Sequence, residues 1–456
     1  MKKTVIRLLT ATVLTGGVLG CNSRLNVEPV TQIDGTSALN TPSDVQSTLV
    51  GCYNGLQSAY LYGGYIQFMS DLLADNGDEA FVGTYGDPAQ AQRKTLLVTN
   101  GTVANTWLSA YAVINRTNNV LANTSKLITA TQQATADGEA KFIRSLVYFD
   151  LVRLYARAWN DGDPKANPGV PLVLTPTLTI TPDNNVARST VAQVYTQIIQ
   201  DLTTAEAELP TTNGFFATRY AAAALLARIY LQQGNYAAAA TAATRVIASS
   251  RYQLNASYGD NFLSNSDLLA NSSEDIFAVQ VSSQSGVNQL NTFYSQYSRN
   301  DVDIQPQFIN SFESGDDRKN VYEYDATYSL YYTNKYDVLY GNIKLIRFDE
   351  MYLTRAEANF RAGTSVGASP LADINLIRDR ALLPPLSTLT LAAILKERHL
   401  ELAFEGFALG DLKRTMQSTA DPNTGTVIPW NSTRLIFPIP LREINANPNL
   451  VQNAGY

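Results

Sequence analysis

The stretch ALLARIYLQQGNYAAAATAATRVI, residues 224–247, constrains the fold more than any other part of the chain. Ala227, Ala239 and Ala243 put small side chains at helical spacing on either side of Gly234. Two helices can then approach closely, with Tyr230 filling the space between them and Gly234 permitting the turn. The spacing predicts a hairpin of helices over 219–233 and 236–249.

FDEMYLTRAEANFRAG followed by ADINLIRDRA repeats the pattern with Ala356, Gly363 and Ala372, and an insertion in the turn. Both units approximate a tetratricopeptide repeat, although they are degenerate and scattered rather than a tandem array. Apolar periodicity predicts further helices over 103–121, 138–158, 191–209, 348–362, 371–380 and 391–404. Thr41 before Pro42 marks another helix start. Strand-like runs are few: DIFAVQV at 275–281 and LIFPIP at 435–440. The fold class is therefore mainly α, an α-α superhelix of tetratricopeptide-like hairpins with a few short strands. Two long polar segments, 76–100 and 282–340, interrupt the helices. The second holds nine tyrosines, from Tyr294 to Tyr340, beside Phe293, which makes it a poor candidate for disorder.

The N-terminus has its own logic. Lys2, Lys3 and Arg7 precede an apolar run from Leu8 to Leu19, too short to span a bilayer comfortably. Residues 1–20 read as a signal peptide, and Val18-Leu19-Gly20 before Cys21 is similar to a bacterial lipobox, with Leu19 in place of the usual small residue. Cys21 is then the lipidated first residue of the mature chain, and 21–41 a tether. A Cys21–Cys52 disulfide is the competing reading, which an exported compartment permits.

Composition removes several function classes. A net charge of −6 without a Lys/Arg cluster lacks the footprint of a nucleic-acid binder. One histidine and two cysteines cannot assemble a transition-metal site, and no cofactor is expected. No phosphate-binding glycine loop occurs. DNGD and NDGDP are oxygen-rich turns without the ligand spacing of an EF-hand. By contrast, the 25 tyrosines suit recognition of amphipathic ligands, each offering a flat apolar face and a polar tip.

Glu397, Glu401 and Glu405 stand four apart on one helical face and invite a glycosidase reading. Like charges at that spacing repel unless cations interleave. Arg378 and Arg380 in the preceding helix supply those cations, so an ion network between helices is the simpler account. His399 has no second histidine or cysteine nearby in sequence.

In order along the chain come LNVEPV, VGCYNGL, WLSAYAVINRTNNVL, GEAKFIRSLVYFDLVRLYARAW, VYTQIIQDLTTAEAELP, the hairpin above, IRFDEMYLTRAEANFRAG, ILKERHLELAFEG and NPNLVQNAGY. This ordered set resembles the SusD/RagB family of outer-membrane nutrient-binding lipoproteins, from Cys21 to Tyr456. Phe407 to Gly410 depart from the family's aromatic-basic centre, and the tether lacks the acidic cluster associated with export to the surface. The resemblance implies one domain over 42–456 and a non-catalytic protein, lipid-anchored at the outer membrane and expected at the cell surface. It implies binding of an oligomeric nutrient, a glycan or a peptide, for delivery to a SusC-like TonB-dependent β-barrel transporter. Carried over from the family's ligand loops, the candidate binding residues are Asp71, Asn76, Tyr85, Arg93, Tyr294, Tyr331, Tyr332 and Tyr336. A secreted glycosidase using Glu397, Glu401 or Glu405 is the rival reading.

Overall fold

Local capping signals set where the helices begin. The computed structural model describes residues 39–262, 271–284, 286 and 288–456; the signal peptide, Cys21 and most of the tether lie outside them. Helix α1 (Pro42–Leu56) starts with a capping box in which Thr41 and Asp44 satisfy each other's backbone N–H groups. After α2 (Tyr65–Ala74) and the short α3 (Gly86–Gln92), the long α4 (Gly101–Leu121) and α5 (Ala130–Tyr155) follow. The last of these begins eight residues before the expected Gly138. A Thr129/Gln132 capping box fixes that earlier start, and a single glycine inside the helix does not break it.

Helices α6 (Val191–Glu208), α7 (Arg219–Gln232) and α8 (Tyr236–Ile247) match the predicted spans closely. Gly234 turns between α7 and α8 at φ +70°. Two short helices, α9 (Gln289–Tyr294) and α10 (Pro306–Ile309), precede α11 (Phe348–Ala362), α12 (Pro370–Arg380), α13 (Leu391–Glu401), α14 (Ala408–Arg414) and α15 (Leu441–Ala446). The two hairpin units are not separate in space. Ala239 and Ala240 of α8 pack with Leu231 of α7 and Ala358 of α11, so the second unit stacks on the first.

The long polar segments carry more regular structure than their sequence suggests. Strands β1 (Glu79–Phe81), β3 (Val302–Ile304), β4 (Tyr322–Asp325) and β5 (Leu330–Thr333) form an antiparallel sheet of order β1-β3-β5-β4. This sheet joins residues 76–100 to 282–340. Strand β2 (Asp275–Val279) pairs antiparallel with β6 (Ile343–Arg347), and β7 (Thr419–Ala420) pairs with β8 (Val427–Ile428). The run 435–440 is not a strand. Pro438 and Pro440 cannot donate to a ladder, and Phe437 N–H instead donates to Leu154 O at 2.8 Å, tying the segment to the end of α5.

One apolar cluster runs from Leu39 to Leu450, and Cys52 lies within it as a free, buried thiol. Burial pushes that thiol up to about 12, so it stays protonated and inert. Among the described residues no helix is long and apolar enough to cross a membrane.

Candidate functional site

A partly exposed group of aromatic side chains and one guanidinium gathers where the sheet meets the start of α2. Gly63 and Gly64 make this junction. Gly64 sits at φ +131°, and a Cβ there would stand 2.9 Å from Leu290 N. Only glycine allows the chain to pass this close to α9, where Gln289 N–H donates to Gly63 O at 2.8 Å. Tyr65 then opens α2 beside Phe293, the ring centroids 5.3 Å apart and edge-on. Tyr60 stacks on Tyr65 at 5.4 Å, and Tyr85 approaches Phe293 edge-on at 6.3 Å.

Tyr85 is 43% exposed and immediately precedes α3. Asp87, two residues on, accepts from Thr102 N–H at 2.7 Å and Thr102 Oγ1 at 3.0 Å, fixing α3 against α4. The Arg299 guanidinium lies 4.2 Å over the Tyr85 ring. Its edge is held by Asp301, to which Nε donates at 2.7 Å and Nη2 at 3.3 Å. A guanidinium held edge-on by a carboxylate and face-on by a ring has little freedom left to lose on binding. Burial and the neighbouring Tyr60 and Tyr85 push the Tyr65 phenol up to about 12, so it remains a neutral donor and acceptor. The result is a shallow face of rings with hydroxyl tips and one fixed cation, suited to a flat ligand with apolar faces and polar edges.

The carried-over residues divide by burial. Tyr85 belongs to this face. Tyr331 is half-buried on the sheet and packs at 4.9 Å against Tyr324, which is 54% exposed. Arg93 is exposed at the end of α3. Tyr294, Tyr332 and Tyr336 are buried, and their hydroxyls donate to Glu79 Oε2 at 2.7 Å, Glu323 Oε2 at 2.9 Å and Phe404 O at 2.7 Å. Buried Asp71 accepts from Gly406 N–H at 2.7 Å and Ala408 N–H at 3.1 Å, stapling α2 to α14. Burial lifts its carboxyl to about 7, against the lowering effect of those two N–H groups. Exposed Asn76 lines, with Asp71, a separate cavity. Tyr60, Tyr65 and Arg299 were not singled out by sequence. The Gly63-Gly64 pair beside two tyrosines was the available signal for the first two, and Arg299 had none.

The glutamates of α13 and the turn after it are accounted for by ion pairs. Glu397 meets Arg378 at 2.6 Å and Arg318 at 2.8 Å; Glu401 pairs with Arg380; Glu405 meets Lys335 at 2.6 Å and Arg347 at 2.8 Å. All three carboxylates are buried. His399 is 45% exposed at its side chain and meets Asp78 at 3.1 Å. Among the described residues no group of His, Cys, Asp and Glu could hold a metal ion.

Comparison with known proteins gives consistent matches along the chain. A family described as "Starch-binding associating with outer membrane" matches residues 26–231, and one described as "SusD family" matches 236–456. SusD-like protein P38 of Formosa agariphila is 24% identical over 512 aligned residues, covering 96% of this chain and 97% of that protein. The starch-binding protein SusD of Bacteroides thetaiotaomicron is 34% identical over 125 residues, 25% of this chain and 22% of that one. The crystal structure of a putative sugar binding protein from Bacteroides vulgatus superposes with a TM-score of 0.81 at 28% identity, covering 92% of this chain and 99% of that chain.

Proposed function

The chain belongs to the SusD/RagB family, and from that premise we propose that it is a non-catalytic binding protein that captures a glycan on its Tyr60–Tyr65–Tyr85–Arg299 face. It works at the outer membrane, anchored through Cys21, and passes its ligand to a SusC-like TonB-dependent transporter. Starch binding in a matching family and in a relative supports the glycan class, as does the sugar binding ascribed to a structural neighbour. The observation that carries the reading is the exposed Tyr85 ring under Arg299, which Asp301 braces, with Tyr85 edge-on to the same Phe293 that Tyr65 packs against. Rings on such a face stack on the apolar faces of sugars, while phenol and guanidinium edges hydrogen-bond the hydroxyls. Peptide is the alternative nutrient within the same family.

The test is a glycan and peptide array probed with the chain lacking residues 1–21, followed by titration of any hit. Replacing Tyr85 by Ala removes one stacking ring and the support of Arg299. It should weaken glycan binding about tenfold, equivalent to about 1.4 kcal/mol, with an unchanged melting temperature. An array with no glycan hit, or a glycan hit indifferent to Tyr85→Ala, would overturn the assignment.

A further inference from the structure

An asparagine followed by glycine is a point where a peptide chain readily attacks itself. The glycine nitrogen closes on the asparagine side-chain carbonyl carbon, and no Cβ stands in the way. The chain has four such pairs, at 54–55, 76–77, 100–101 and 213–214. The fold disarms three of them. Asn54 and Gly55 lie inside α1, where the helical ladder takes up the Gly55 N–H. Asn100 is buried; its Oδ1 accepts from Val103 N–H at 3.0 Å and its Nδ2 donates to Gln90 Oε1 at 3.0 Å. Asn213 Nδ2 donates to Glu139 Oε1 at 2.8 Å and to Ala217 O at 3.0 Å, which holds that amide in place.

Asn76 is the contrary case. It is exposed on the loop joining α2 to β1, and its side-chain amide makes no hydrogen bond among the described residues. The peptide bond that follows it is polarised from both sides. Gly77 N–H donates to Asp75 Oδ1 at 3.1 Å. The oxygen of the same peptide, Asn76 O, accepts from Gln307 Nε2 at 3.2 Å. A carboxylate on the N–H and a donor on the C=O both favour loss of the amide proton. Burial raises the Asp75 carboxyl above its usual value, against the lowering effects of Lys94 and the loop N–H groups. A more basic carboxylate is the better acceptor for that proton.

We propose that Asn76-Gly77 is a self-modification site at which Asp75 acts as general base. Gly77 N bonds to the Asn76 side-chain carbon as its proton passes to Asp75 Oδ1. The carbon–nitrogen bond of the side-chain amide then breaks, and its nitrogen leaves as ammonia, taking that proton. Water adds to the resulting succinimide and opens it at either carbonyl, giving aspartate or isoaspartate without oxidation or reduction. Either product sets a new carboxylate beside Asp75 and Asp78, and isoaspartate also adds a methylene to the main chain entering β1. The site stands apart from glycan capture, and either can fail without the other.

Peptide mapping by mass spectrometry tests it on the purified full chain, kept folded at neutral pH for several weeks. Residue 76 should gain one mass unit about tenfold faster than Asn54, Asn100 or Asn213. Asp75→Asn keeps an oxygen for the loop N–H groups but removes the base, and should slow conversion about tenfold. Gln307→Ala, at an exposed position, should slow it about threefold. Conversion at 76 no faster than at the other three pairs would overturn the proposal, and so would an undiminished rate in either folded variant. The comparison of the four pairs uses the unaltered chain, so it decides the matter even if Asp75→Asn does not fold.

Discussion

At the residue scale, burial decides what a carboxylate can do. Asp71 titrates near 7 in the fold against an ordinary value of 3.8. Between those values the folded chain holds more protons than the unfolded one. Its contribution to stability is therefore complete below about pH 4 and is lost as pH rises toward 7. Asp71→Asn removes this titration. The variant should gain on the parent by a few kcal/mol, in order of magnitude, between pH 4 and 7. Urea melts at several pH values check it, and parallel pH profiles for the two proteins would refute it.

Glu401 is the opposite case. Its carboxyl is held below the usual range by Arg380, Arg318 and Arg347, which outweigh the cost of burial. Glu401→Gln leaves those guanidinium groups short of one charge inside the fold. Breaking a buried pair costs about 3–5 kcal/mol. A loss of that size in denaturant melts is the expected outcome, and a neutral substitution would show that the network is locally redundant.

Among the elements, the hairpin contacts depend on side chains no larger than alanine. Ala239 of α8 is fully buried in one cluster with Leu231 of α7 and Ala358 of α11. Ala239→Leu inserts a branched side chain where two helix contacts meet. Overpacking of that kind costs about 1–3 kcal/mol. A drop in melting temperature without loss of helical circular dichroism is expected; an unchanged melt would mean the second hairpin moves aside freely. Gly406 makes a comparable close approach, since a Cβ there would stand 2.8 Å from Gln67 Cα at a φ of +88°.

For the whole molecule, the division between the two family matches falls inside a hairpin. Residues 26–231 end in α7 and 236–456 begin with α8. The chain's end also returns to its first half: Leu441 N–H donates to Val98 O at 3.0 Å and Asn453 Nδ2 to Tyr155 O at 2.9 Å. Neither piece expressed alone should show a cooperative melt, whereas residues 42–456 together should unfold in one transition. Scanning calorimetry on the three proteins checks this, and a cooperative melt from either piece would contradict it.

The sequence alone determined most of the long helices, the hairpin and its turn, and the mainly α class, because these depend on neighbours within about a dozen residues. It also indicated the partners of Glu397 and Glu401, since Arg378 and Arg380 sit on the helix just before. Local signals misled where a residue's contacts are distant. LIFPIP reads as a strand by composition, yet its backbone bonds to α5. The tyrosines of 282–340 look alike in sequence, but Tyr294 and Tyr336 are core residues and Tyr324 is at the surface. Only the tertiary structure placed Arg299 over Tyr85, more than two hundred residues away. No periodicity records such a meeting, because strand pairing and helix stacking across the chain create it.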